Sequence, residues 1–288
     1  NSSFLALRLV FKAALVSPHF LFREEFQPNS NDSESIHQLD AFALASRLSY
    51  FLWSSTPDDR LMKLARDNTL FSNLESEVLR MISDEKSDGF IKNFTGQWLQ
   101  IRDLDLIEPD RKRFPSFSAE LRESMRHETE SFFAYILRGN RTVFDFIKSE
   151  YIFVNQSMAQ FYELSGRFGN KFEKVNLPNG QLLQSGGFLT QASILAITSN
   201  ATRTSPVKRG RWVLDNILGA PPKDPPPGIT DLEDFENHNS ASLSLREQMA
   251  IHSKNSSCSS CHASMDAMGY TMENFDAIGK WRDSENGR

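Results

Sequence analysis

A mainly α-helical protein is expected from three features of the sequence. Apolar residues recur at three- and four-residue spacing through the first two-thirds of the 288 positions, cap and stop residues bracket those runs, and strand-like alternation is rare. The arrangement expected is a multi-helix N-terminal domain followed by a small helical segment at the C-terminal end.

Taken in order, Phe4, Leu7, Val10, Phe11, Ala14 and Leu15 mark a first helix, and Pro18 breaks it before Phe20–Phe22. Leu39, Phe42, Leu44, Leu48, Phe51 and Leu52 mark a second. Thr56, Pro57, Asp58 and Asp59 predict a third beginning at Pro57, with Thr56 as its cap and two carboxylates at the positive end of the dipole. Helices are expected over 74–82 and 89–101. The longest should open at Ser118 and stop at Gly139, turning Leu121, Met125, Phe132, Phe133, Ile136 and Leu137 inward. Shorter helices are expected over 142–147 and 155–164. Val175 and Leu177 with Leu182 and Leu183, around Pro178-Asn179-Gly180, suggest a small hairpin. Residues 188–197 read as helix, and Ser205-Pro206 opens another that runs to Leu218 and ends at Gly219. Prolines then cluster over 221–227 as an extended connector. An acidic stretch at 231–236 and a helix over 242–252 lead to the C-terminal segment.

Composition removes several classes. No window approaches 18 consecutive apolar residues, so a membrane-spanning helix is not expected. A net charge of -5 argues against a nucleic-acid binder held by phosphate contacts, and two cysteines rule out a disulfide scaffold. There is no Gly-rich nucleotide fingerprint, P-loop or nucleophile elbow. His127-Glu128 lacks the second histidine of a zinc-protease motif, Ser131 standing in its place.

The chemistry concentrates at one point. Cys258, Cys261 and His262 form Cys-x-x-Cys-His, the spacing of c-type haem attachment. Two thiols three apart on one helical turn each add to a vinyl group, and the adjacent imidazole is placed as the proximal iron ligand. Three other readings of the pair are a redox dithiol, half of a zinc site completed by His238 or His252, and a structural disulfide.

Around this motif, residues 252–282 (HSKNSSCSSCHASMDAMGYTMENFDAIGKWR) resemble the planctomycete-type cytochrome c domain family. LVSPHFLFR at 15–23 with LSYFLW at 48–53, and LTQASIL at 189–195 through TRTSPVKRGRW at 202–212, resemble its accompanying modules of unknown function, so the likeness spans nearly the whole chain. Ala267 stands where the family tends to have Pro. The resemblance implies covalently attached haem c, an extracytoplasmic or periplasmic location and further modules of the same chain. It defines neither substrate nor redox partner. With Asn1 at one end and no closing element at the other, the chain is expected to be part of a longer protein whose signal peptide would lie upstream.

The second axial ligand is open. Met265 is too close to His262 to round a porphyrin edge. Six extended residues span about 20 Å, which puts Met268 at the limit, while Met272 and His252 have the reach. His252 reads equally as a helix C-terminal cap and Met272 as core. A vacant sixth position or an upstream ligand completes the alternatives. Arg203, Arg209, Arg211 and Arg282 are candidate propionate contacts, against a solvated helix face. His19 is read as a buried structural histidine.

The domains expected are a helical domain at 1–165, connecting elements at 166–219, the proline connector at 220–228 and a cytochrome c-like haem segment at 229–288. Three function classes follow: an electron-transfer module, a haem enzyme of peroxidase or oxygenase type with an open iron position, and a non-redox module holding zinc or a disulfide. Whether the chain is an enzyme turns on the second axial ligand.

Overall fold

The fold is taken from a computed structural model, which describes residues 2–22, 25, 31, 34, 36–177, 186–222, 246–247 and 256–284, with backbone only at 2, 256–261 and 263. The described residues are mainly helical, as the spacing of apolar residues predicts. Two compact units divide the chain, Asn1–Phe90 and Ile91–Arg288.

In the first unit, α1 (Ser2–Leu15) and α2 (Pro18–Leu21) keep their large apolar side chains exposed. His19 is exposed as well, contrary to the buried role expected of it. Asp40 caps α3 (Ala41–Trp53) by accepting from the amides of Phe42 and Ala43. The next helix, α4 (Asp59–Arg66), starts two residues later than Pro57 predicts, because Asp58 and not Thr56 is its cap, the Asp58 carboxylate accepting from the Leu61 amide at 2.9 Å. Asp58 also meets Arg80 at 2.9 Å, and Arg80 holds the fully buried Glu77 of α5 (Leu74–Ser83) at 2.8 Å. Arg60 donates to the same Glu77 carboxylate at 2.7 Å.

The second unit is built round α7 (Ala119–Arg138), capped by Ser118 and ended at Gly139 as its sequence predicts. Before it come α6 (Asp88–Trp98) and a 3-10 turn at Ile101–Asp105, separated by Gln100 in the left-handed region. Phe132 and Phe133 of α7 pack with Phe146 and Phe188, and the stacked pair Phe146–Phe188 lies 4.9 Å between centroids. Each fully buried phenylalanine contributes about 1.5–3 kcal/mol.

The hairpin differs from expectation. β1 (Tyr151–Val154) pairs antiparallel with β2 (Glu173–Asn176), with Ile152 opposite Val175. Four apolar residues between helical stretches do not announce a strand by periodicity, so β1 was not anticipated. Leu182 and Leu183 lie outside the described residues. Between the strands runs α8 (Gln156–Phe161), capped by Asn155. After them come α9 (Ala192–Ile197) and α10 (Pro206–Trp212), the latter continuing through a π turn at Val213–Ile217. The last helix is α11 (Ser256–Tyr270). Most of the expected helix at 242–252, apart from helical Arg246 and Glu247, and most of the proline connector lie outside the described residues.

Candidate functional site

Cys258, Cys261 and His262 fall on the opening turns of α11, whose backbone is helical from Ser256 to Tyr270. A three-residue offset on a helix puts both cysteines on one face. Their side chains, like all of His252, lie outside the described residues.

His262 sits one turn before Asp266, and its Nδ1 lies 3.1 Å from Asp266 Oδ1. Both side chains are largely buried, at 15% and 11% exposure. With Nδ1 protonated, the ring donates to the carboxylate, which fixes both tautomer and ring plane.

What holds α11 in place is α10. A Cβ built on Gly210 would lie 1.8 Å from Met265 O, and one on Gly269 would lie 1.9 Å from Pro206 O. Each helix therefore presents a glycine to the other's backbone, a separation that no larger residue permits. Met265, three residues after His262, is buried in this seam.

Arg209, next to Gly210, is 1% exposed. Its Nη1 donates to the Met272 and Phe275 carbonyls, and its Nη2 to Asp276 O at 2.7 Å and to Ser199 Oγ at 3.1 Å. Burial, with Arg282 nearby, depresses its pKa to about 9, so the group is still a cation at neutral pH. It ties α10 to the turn that follows α11. That turn is closed by Asp276, whose Oδ1 accepts from the amides of Ile278 and Lys280, and by the Phe275 and Trp281 rings 5.2 Å apart.

The remaining candidates are dispersed. Met268 lies on the same continuous helix as His262 and is 40% exposed. Six residues of helix advance only about 9 Å along one axis, so the extended reach assumed for it does not apply. Met272 is 5% exposed beside Arg209. Arg203 donates to Thr204 O at 3.3 Å, Arg211 meets Asp215 at 3.4 Å, and Arg282 reaches Glu273 O at 3.4 Å.

Two family models match the chain. Residues 39–164 match PSD4, described as a protein of unknown function (DUF1592), and residues 185–285 match PSCyt3, described as a protein of unknown function (DUF1588). The second match takes in α9, α10 and α11 together with the whole Cys-x-x-Cys-His run. No curated protein and no solved structure matches the chain. Among the described residues no helix is long and apolar enough to cross a membrane.

Two groups gain a functional look only in the structure: Asp266, not singled out in the sequence, and Glu128, set aside there with the incomplete zinc-protease motif. Asp266 was readable, since His262 and Asp266 stand at the i,i+4 spacing of neighbours on a helix. Glu128 was readable in part, lying between Met125 and Phe132 on the inward face of α7. It is 1% exposed and accepts from Tyr162 Oη at 2.9 Å. Burial raises its pKa to about 8, the tyrosine hydrogen bond opposing in part. That Tyr162 also accepts from the Ala192 amide depends on tertiary contact, and no local pattern carries it.

Proposed function

We propose that this chain carries a c-type haem-binding module, with Cys258 and Cys261 as the thioether positions and His262 as the proximal iron ligand, serving electron transfer in an exported protein. The observation that carries the reading is the placement of Cys-x-x-Cys-His on one helix with the His262 ring fixed by Asp266 at 3.1 Å. Histidines that bind metal commonly have their other ring nitrogen held by a carboxylate or carbonyl, so the donor set fits the group. The name of the model matching residues 185–285, PSCyt3, points the same way.

When bound, haem supplies one-electron redox chemistry; the chain supplies the tether, the ligand and the surroundings. The glycine contacts of α10 keep the ligand-bearing helix at fixed depth. Arg209, its guanidinium taken up by backbone carbonyls, secures the turn after α11 and is set aside as a propionate contact. Arg282, Arg203 and Arg211 remain candidates for that role. Met268 is set aside as the distal ligand, since a continuous helix does not round the edge of a macrocycle. Met272, two residues past the same helix and buried beside Arg209, is set aside with it, and His252 remains a candidate there.

The test is the visible spectrum of full-length chain expressed with a c-type maturation system. A haemochrome band of two thioether links, with a low-spin ferric state, is expected. A spectrum free of haem overturns the reading. A high-spin, ligand-accessible ferric state instead establishes the peroxidase or oxygenase alternative.

A further inference from the structure

Resting on the haem reading above, we infer that Asp266 is the positioning residue of the proximal ligand and that its carboxylate strengthens His262 as an electron donor, favouring ferric over ferrous iron. The geometry is local and specific. Residues four apart on α11 face each other, and Nδ1 and Oδ1 stand 3.1 Å apart. Among the described residues, the His262 ring is the only ion-pair partner of Asp266. A carboxylate with lysines or arginines round it has its charge answered elsewhere. The Asp266 side chain, 11% exposed, meets the imidazole in a largely buried setting. Hydrogen bonds in such a site are electrostatically stronger than in water.

His127 provides the contrast within the same chain. It too has a carboxylate at 3.1 Å from Nδ1, that of Glu130, but Glu123 lies 3.1 Å from Nε2, and the ring is 41% exposed. Carboxylates at both nitrogens close that imidazole to a metal. At His262 the Asp266 carboxylate stands at Nδ1, so Nε2 is the nitrogen that would serve as ligand to haem iron. With haem bound, a hydrogen bond from Nδ1 to Asp266 would give the ring some imidazolate character and so would stabilise the more positive oxidation state of the iron, which one electron from an external reductant would have to overcome.

The experiment compares matured full-length wild type with Asp266→Asn and Asp266→Glu. Attached haem is first counted by intact mass; its absence from wild type refutes the haem reading itself and is thereby told apart from failure of the present inference. In a potentiometric titration, Asp266→Asn should shift the ferrous-to-ferric equilibrium at least tenfold towards ferrous iron, about 59 mV for one electron. Asp266→Glu should recover most of that shift. Unchanged potentials in both variants overturn the inference and leave Asp266 as a helix contact only. A second readout needs no variant: in wild-type holoprotein the His262 Nδ1 proton should be protected from solvent exchange, and rapid exchange overturns the inference equally.

Discussion

Two histidines on two helices face carboxylates at the same distance, yet their surroundings prepare them for different ends. His127 on α7 stands between Glu123 and Glu130, each 3.1 Å away, with two-fifths of its side chain in solvent. His262 on α11 has Asp266 at 3.1 Å from Nδ1, is mostly buried, and follows a cysteine pair. The contrast teaches that a carboxylate beside a histidine says little by itself. Which nitrogen it takes, how dry the site is and what precedes the ring in sequence are what separate a surface ion-pair partner from the ligand proposed for His262.

The strongest way to break the comparison is to disturb the seat of one helix only. Gly210→Ala places a Cβ where Met265 O stands, and Gly269→Ala does the same against Pro206 O. Each should cost about 3 kcal/mol or more, read as a lower urea midpoint, since backbone must move to admit the methyl group. The His262 ring signals should shift in the NMR spectrum and those of His127 should not. An unchanged midpoint would mean that α10 and α11 do not meet as described. Arg209→Lys should be nearly as damaging, about 3 kcal/mol, because one ammonium cannot span carbonyls that a planar guanidinium reaches from two nitrogens. Full stability of Arg209→Lys would remove Arg209 as the tie between α10 and the 272–276 turn.

The residue after His127 sharpens the comparison through pH. Burial raises Glu128 to about 8, against an ordinary value of 4.5. The folded state therefore keeps a proton that the unfolded chain releases between these values. The stability contribution is fully present below pH 4.5 and is lost as pH climbs towards 8, at about 1.4 kcal/mol per pH unit. Glu128→Gln keeps a partner for Tyr162 without titrating. Its unfolding free energy should vary less between pH 5.5 and 7.5 than that of wild type; parallel profiles would show that Glu128 is ionised in the fold. At the small end, His127→Asn takes a two-fifths-exposed ring away from exposed Glu123 and mostly buried Glu130 and should change stability by about 1 kcal/mol. A loss of several kcal/mol would mean that His127 carries more of the fold than its two ion pairs account for.

Much of the scaffold was readable because helices announce themselves locally. Ser118 and Gly139 bracket α7 correctly, and Ser205 caps α10, since a cap needs only its own turn. The start of α4 lies two residues beyond the expected one because Thr56 and Asp58 are both cap-forming residues, and it is the Asp58 carboxylate that accepts a first-turn amide, that of Leu61. β1 was missed since Tyr151–Val154 is too short to show a period, and its partner β2 lies some twenty residues on. At the candidate site, the motif and the Asp266 spacing are local and legible. Arg209 is the opposite case. A basic residue on a capped helix looks solvated or ligand-binding in sequence, and only the return of residues 272–276 against α10 shows that its guanidinium is enclosed by carbonyls.

Covalent attachment of a porphyrin to the chain is the condition for the function proposed. Intact-mass spectrometry of full-length protein from cells with a c-type maturation system should give the polypeptide plus one haem, and Cys258→Ala with Cys261→Ala should return the bare polypeptide. A bare polypeptide mass for the wild type, in material where a control c-type cytochrome is matured, would contradict it.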